Sequence, residues 1–249
     1  MHFSSFDGAY KYLLREVLRE PPRASPRGLL TRELLDVMWS LSDPKKCKID
    51  FTTTQVPERQ IIYDEYVQKE LEWYKSGGLI ASQAPSKFWS KLADKHGHIV
   101  SNYGHMILHD KKYPEGFTAF QSVLDALVRD QDSRQAVLHY SEPRHHWVGN
   151  KDVPCTLCAH VMIRHEALRM HVFQRSCDLH YGLPYDVPWH SWVMQELVLS
   201  LKHVFPELRL GIFTHTCVSL HLYEKDRKLA EKICVPVYSE PSNSSLRHD

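Results

Sequence analysis

No stretch of this 249-residue sequence approaches the roughly 18 consecutive apolar residues of a membrane span. Its first residues, MHFSSFDGAYKYLL, lack the basic start, apolar core and cleavage site of a secretory leader. A cytoplasmic protein with no membrane partner is therefore expected. Net charge is missing as well, since 31 basic against 30 acidic residues leave +1. Without an excess of one sign there is no long-range field for nucleic acid, so any anion site must be local and its ligand small. Cysteines are few: six thiols between Cys47 and Cys234 cannot make the disulfide framework of a small secreted domain. Seventeen histidines include no HExxH pair. Cys155-x-x-Cys158 has neither a second ligand pair nor the βαβ context of a redox motif, so no metal or redox site is expected.

What remains, 43% apolar and 24% charged, is an ordinary globular composition in a chain long enough for one sizeable core. Residues 1–238 are expected to form a single domain, and the Ser/Pro-rich SEPSNSSLRHD after Tyr238 a disordered tail. Apolar residues at helical spacing predict helices over Ala9–Arg19, Ile61–Lys75, Phe117–Arg129 and Trp189–Phe205. Alternating runs predict strands at Ala136–Tyr140, around Val161 and Ile163, over Leu168–Phe173 and over Leu210–Tyr223. After the first helix, Pro21, Pro22, Pro26 and Gly28 mark a loop in which Arg23 and Arg27 either meet a phosphate or are simply solvated.

Two stretches carry chemistry. In Ile61–Lys75, Tyr63, Tyr66, Val67, Leu71 and Tyr74 gather on one side of a helix, and Glu70 falls among them. A carboxylate on an apolar face is costly unless hydrogen-bonded or used, so Glu70 is either structural or an acid–base group with a raised pKa. From Val153 to Trp192, Cys155 follows Pro154 at the mouth of a predicted strand pair, and Arg175, Asp178 and Asp186 follow among turn residues. This order places a nucleophile, a cation and two carboxylates together, and a nearby cation favours the thiolate. Asp186 has a plainer alternative, capping the helix that follows.

Pro154-Cys155, the Gln-Arg-Ser-x-Asp run from Gln174 to Asp178, Gly182-Leu183-Pro184 and the DEYVQKELEWYKS helix around Glu70 together resemble the thymidylate synthase family. That helix and the Ser101-Asn102-Tyr103-Gly104 run, which is expected in a loop, resemble its pyrimidine hydroxymethylase branch. The resemblance runs from Asp64 to Tyr223. It implies an α/β (α+β) fold, a large mixed sheet with flanking helices, and a homodimer through the sheet with shared sites. It implies a pyrimidine nucleoside monophosphate as substrate and 5,10-methylenetetrahydrofolate as the one-carbon donor. By matching position, Cys155 is the nucleophile, and Glu70 and Tyr103 assist proton removal. Trp89 and Asp178 meet the folate; Arg27, Arg175 and Ser176 hold the phosphate; Arg134 reaches the partner's nucleotide; His221 and Tyr223 hold the sugar hydroxyl. The chain departs from the family pattern at Leu92, Gln135 and His160, and its tail lacks the apolar segment that closes the family's site.

Thymidylate synthases carry asparagine where this chain has Asp186. Cytosine presents an amino donor beside an unprotonated ring nitrogen, the reverse of uracil, and an ionised carboxylate is acceptor-only. The resemblance therefore implies 5-hydroxymethylation of CMP or dCMP, by addition of water to an exocyclic methylene, with tetrahydrofolate released. Ser176 matches the deoxynucleotide enzymes, the ribonucleotide enzymes of nucleoside-antibiotic biosynthesis are near relatives, and activity on both sugars is expected. Two other readings stay open: a thymidylate synthase or uridylate hydroxymethylase, and a catalytically silent nucleotide-binding homologue.

Overall fold

The computed structural model describes residues 1–25 and 28–235, so Arg27 and the tail expected to be disordered lie outside the described residues. In chain order the elements are β1 (His2–Phe3), α1 (Phe6–Arg19), β2 (Arg23–Ala24), β3 (Leu30–Leu41), α2 (Arg59–Ser76) and α3 (Trp89–Leu92). A π-helical turn (His105–His109), α4 (Ala119–Arg129), β4 (Val137–His139), β5 (Thr156–Arg164), β6 (Ala167–Gln174) and β7 (Cys177–Asp178) follow. The last are α5 (Leu183–Leu201), β8 (Arg209–Tyr223) and α6 (Arg227–Cys234).

The strands make one mixed sheet in the order β1-β3-β8-β6-β5-β4, with β2 beside β3 and β7 beside β8. β1–β3, β6–β8 and β7–β8 run parallel and the other pairs antiparallel, which is the expected α/β class with flanking helices. Alternation sorts the two faces. Val161, Met170, Val172, Phe213 and Trp39 are buried on the helix-covered face, and Phe6 of α1 stacks on Trp39 at 5.9 Å. Outward residues such as Met38, His160, His171 and Thr216 stay exposed or half-buried. Gln174 and His215, both polar, occupy inward positions.

β5 and β6 form a hairpin closed by His165 and Glu166, both at positive φ (52° and 56°), the conformation that two-residue hairpin loops need to match strand twist. Cys155 and Arg175 flank its open end, where Arg175 N–H donates to the Cys155 carbonyl at 3.0 Å. None of the described helices is long and apolar enough to cross a membrane.

Two expectations are corrected. α5 begins at Leu183 rather than Trp189, so Asp186 lies in its first helical turn, not in a turn before it. Pro184 suits a first turn, but Pro188 is inside the helix and lacks the N–H that would satisfy the Pro184 carbonyl. Tyr63 of α2 supplies the missing donor, its hydroxyl reaching Pro184 O at 3.1 Å. Tyr103 and Gly104, expected in a loop, open the helical turn that leads into His105–His109. Asn102 caps it by accepting from the His105 N–H at 2.8 Å, while its amide donates to the Trp73 and Gly78 carbonyls.

Candidate active site

Cys155 is half-buried at the hairpin's open end. Its sulfur lies 3.8 Å from Arg175 Nη2 and 3.7 Å from Ser176 Oγ. The guanidinium is held by the segment that precedes the nucleophile: Nε donates to Pro154 O at 3.1 Å and Nη2 to Val153 O at 2.8 Å. Burial nevertheless raises the thiol's pKa, with the charges of Asp186 and Asp152 adding to the effect, and Arg175 and Ser176 offset this only in part. Arg175 is thus the neighbouring cation that favours the thiolate, as the sequence predicts, but desolvation outweighs its pull.

Glu70, 5% exposed, lies on the buried face of α2 as its position among tyrosines predicts. Burial and the neighbouring charge of Asp186 push its carboxyl up to about 8, and a hydrogen bond from Tyr66 Oη at 3.2 Å pulls the other way. Asp186, 8% exposed, is raised to about 7 by burial despite a hydrogen bond from Gln174. Its Oδ2 accepts from Gln174 Nε2 at 2.8 Å. The helix N-cap is Gly182, without a side-chain capping bond, so the capping role open to Asp186 falls away. Tyr103 stacks on Tyr74 of α2 at 5.5 Å, and its Oη accepts the Thr156 N–H, one residue after the nucleophile, at 3.2 Å. Burial, Asp186 and Cys155 hold that phenol well above its ordinary pKa, so it remains a proton donor.

Asp178 lies opposite His221 in the β7–β8 pairing. Its Oδ1 accepts the backbone N–H groups of His180 (2.7 Å) and Tyr181 (3.1 Å), while Oδ2 takes no hydrogen bond among the described residues. His221 and Tyr223 meet edge to face at 5.5 Å. Trp89 is buried against Trp73 at 4.8 Å. The adjacent Phe88, 46% exposed, stacks in parallel on Tyr181, 47% exposed, at 6.4 Å. A flat aromatic surface beside a carboxylate with a vacant acceptor oxygen suits a pterin, which offers a planar ring and N–H donors.

Arg134 is not brought to this group. It is exposed in the loop before β4, and its carbonyl faces His160 Nε2 at 3.0 Å, five residues along β5 from Cys155, on the order of 16 Å by strand rise. Three residues given no role in the sequence join the site. Gln174 bridges Thr156 and Asp186, His215 backs Gln174, and Asp152 accepts from the Val100 and Ser101 N–H groups, tying the Tyr103 segment to the Cys155 segment. The available signal was polarity at an inward strand position, for Gln174 and His215 alone.

The sequence model of the thymidylate synthase family matches residues 9–241. The deoxycytidylate 5-hydroxymethyltransferases of Enterobacteria phages T6 and T4 are each 32% identical over 171 residues, 65% of this chain and 68% of theirs. The thymidylate synthase of Haloferax volcanii is 27% identical over 178 residues, 62% of this chain and 49% of its own. A match that spans nearly the whole sequence, and with it the segments bearing Glu70, Tyr103, Cys155 and Asp186, shows that the chain belongs to the thymidylate synthase family.

Proposed function

We propose that the protein transfers a one-carbon unit from 5,10-methylenetetrahydrofolate to carbon 5 of CMP or dCMP and hydrates it, giving the 5-hydroxymethylcytosine nucleotide. The observation that carries this reading is Asp186, a buried carboxylate locked to Gln174 at the position where thymidylate synthases have asparagine. The phage deoxycytidylate 5-hydroxymethyltransferases among the relatives support the same chemistry.

Cys155 Sγ, once ionised, bonds to carbon 6, and the electron pair of the 5,6 double bond passes to carbon 5. Arg175 sustains the thiolate, and with Ser176 and Arg27 it holds the phosphate. As the ring accepts the sulfur, ring nitrogen 3 takes through water the proton that the thiol gave up, and returns it when the 5,6 bond is restored; Asp186 takes hydrogen bonds from that N–H and from the exocyclic amino group, and the first strengthens toward the transition state. His221 and Tyr223 fix the sugar, and Asp178, with the aromatic surface near Trp89, would hold the pterin. When bound, the folate supplies a carbon at the methylene oxidation level to carbon 5. Glu70, as the carboxylate, then takes the carbon 5 proton through water held by the Tyr103 hydroxyl; the electron pair forms the exocyclic methylene as tetrahydrofolate leaves, and the proton departs with it, which returns Glu70 to the carboxylate. For hydration, Glu70 takes a proton from water as its oxygen bonds to the exocyclic methylene, electrons return to the 5,6 bond, and the carbon 6 to sulfur bond breaks to restore Cys155.

We place the enzyme in the cytoplasm as a homodimer through the uncovered sheet face, where Leu35, Met38 and Val218 are exposed. Arg134, remote from Cys155 within one chain, then completes the phosphate site of the other copy.

The deciding experiment incubates the protein with methylenetetrahydrofolate and equimolar dCMP, CMP and dUMP and analyses both products. Hydroxymethylcytosine nucleotides with tetrahydrofolate are expected from both cytosine substrates. Accumulation of dihydrofolate would mean that hydride moves, and would replace this reading with thymidylate synthesis.

A further inference from the structure

Behind Asp186 runs a chain of hydrogen bonds whose direction can be read from the groups in it. Gln174 Nε2 donates to Asp186 Oδ2 at 2.8 Å and to Thr156 Oγ1 at 3.0 Å, and Gln174 Oε1 faces His215 Nε2 at 2.8 Å. An amide oxygen only accepts, so in this orientation His215 carries its proton on Nε2. Its Nδ1 is then bare and has no partner among the described residues, so the other tautomer would bury an unpaired N–H there. The ring is 1% exposed, with Trp39 packed 5.4 Å away. Burial and the nearby His190 and His171 push its pKa down to about 3, which leaves it neutral.

The reverse orientation of the Gln174 amide would set its oxygen against Asp186 Oδ2, two acceptors at hydrogen-bond distance, unless Asp186 took up a proton. It would also set its NH2 against the His215 N–H. The His215 donor therefore stabilises the orientation in which Asp186 accepts and disfavours the one in which Asp186 donates.

We propose that His215 is a positioning residue for base selection: its Nε2–H holds the Gln174 amide with NH2 toward Asp186, which keeps Asp186 an acceptor facing a cytosine ring and opposes its use as a donor to uracil. This rests on the reading that Asp186 meets the base. A purely structural His215 would weaken the binding of both nucleotides equally when replaced; a positioning one changes their ratio.

The test is equilibrium binding of dCMP and dUMP, without folate, to wild type, His215→Phe, His215→Gln and Asp186→Asn, with circular dichroism to confirm folding. His215→Phe should lower the dCMP-to-dUMP affinity ratio about tenfold, and His215→Gln, whose amide can still donate, should keep most of it. If Asp186→Asn leaves the ratio unchanged, the base reading fails and His215 has no such role. If Asp186→Asn moves the ratio and a folded His215→Phe does not, the proposal alone is overturned. Nitrogen-15 NMR of the wild-type histidines decides independently of any variant: the Nε2–H tautomer is expected for His215, and the Nδ1–H tautomer would sink the proposal.

Discussion

Arg175 is fastened to the two carbonyls that immediately precede Cys155, those of Val153 at 2.8 Å and Pro154 at 3.1 Å, and this places Nη2 3.8 Å from the sulfur. Charge and geometry are thereby tied: the cation cannot leave the thiol without releasing the loop that presents it. Because burial pushes the thiol up, this cation, with Ser176, is what opposes protonation. Arg175→Lys keeps the charge but loses the planar fork that binds both carbonyls. The apparent pKa of Cys155 should rise further, and alkylation by iodoacetamide should slow about tenfold near neutrality. The pH dependence of alkylation measures this directly, and an unchanged profile would remove Arg175 from the activation of the thiol.

Gly104 is required by close approach. A Cβ built there would stand 1.7 Å from the Tyr74 carbonyl oxygen, which is backbone and cannot step aside. Tyr74 stacks on Tyr103, so any displacement passes to the phenol beside the nucleophile. Gly104→Ala should destabilise the protein by about 3 kcal/mol or more, as overpacking of a tight interior does. Thermal unfolding checks it, and a melting curve equal to that of wild type would show that the π-helical turn can shift without loss.

Much of the site was legible because its residues lie in motifs or break a pattern. Glu70 stood out as a carboxylate among tyrosines, and Cys155, Arg175 and Asp178 come from one stretch whose strand pair has clean alternation. β3 was not legible, and its missing rhythm has a cause. Asp36 takes a positive φ of 54°, and pairing skips it between Leu35↔Ser219 and Val37↔Cys217. LTRELLDVMWSL thus changes phase midway, and a period-two search passes over it. The start of α5 was hidden by two prolines that ordinarily exclude a helix. What makes Pro188 tolerable is a hydroxyl from Tyr63, 121 residues away from the carbonyl it satisfies.

That hydroxyl is itself testable. Tyr63 Oη donates to Pro184 O and accepts the Ile49 N–H at 3.3 Å, all within the core. Tyr63→Phe leaves a carbonyl and an amide unpaired, at a cost of about 2–4 kcal/mol. Because Pro184 is two residues before Asp186, turnover of cytosine nucleotides should fall as well, while thiol alkylation at Cys155 should not. Urea unfolding together with both rate measurements separates these effects; a loss in all three would mean that the whole fold is loosened instead.

Glu70 links catalysis to stability through pH. Its folded pKa is raised from an ordinary 4.5 to about 8, chiefly by burial. The folded state therefore holds this proton more tightly than the unfolded chain does. Its stabilising contribution is fully present below about pH 4.5, is lost progressively as the pH climbs to about 8, and is gone above that. Glu70→Gln keeps the shape and cannot titrate. Relative to wild type it should gain stability across that window, by a few kcal/mol at most, and the difference should level off above about pH 8. Turnover should fall by about 10²–10⁴, since the proton carrier is lost. Urea unfolding of both proteins at pH 5, 7 and 9 gives the comparison. Parallel stability curves at all three would show that Glu70 ionises as an ordinary exposed carboxylate does, and would leave the proton-transfer role without its physical basis.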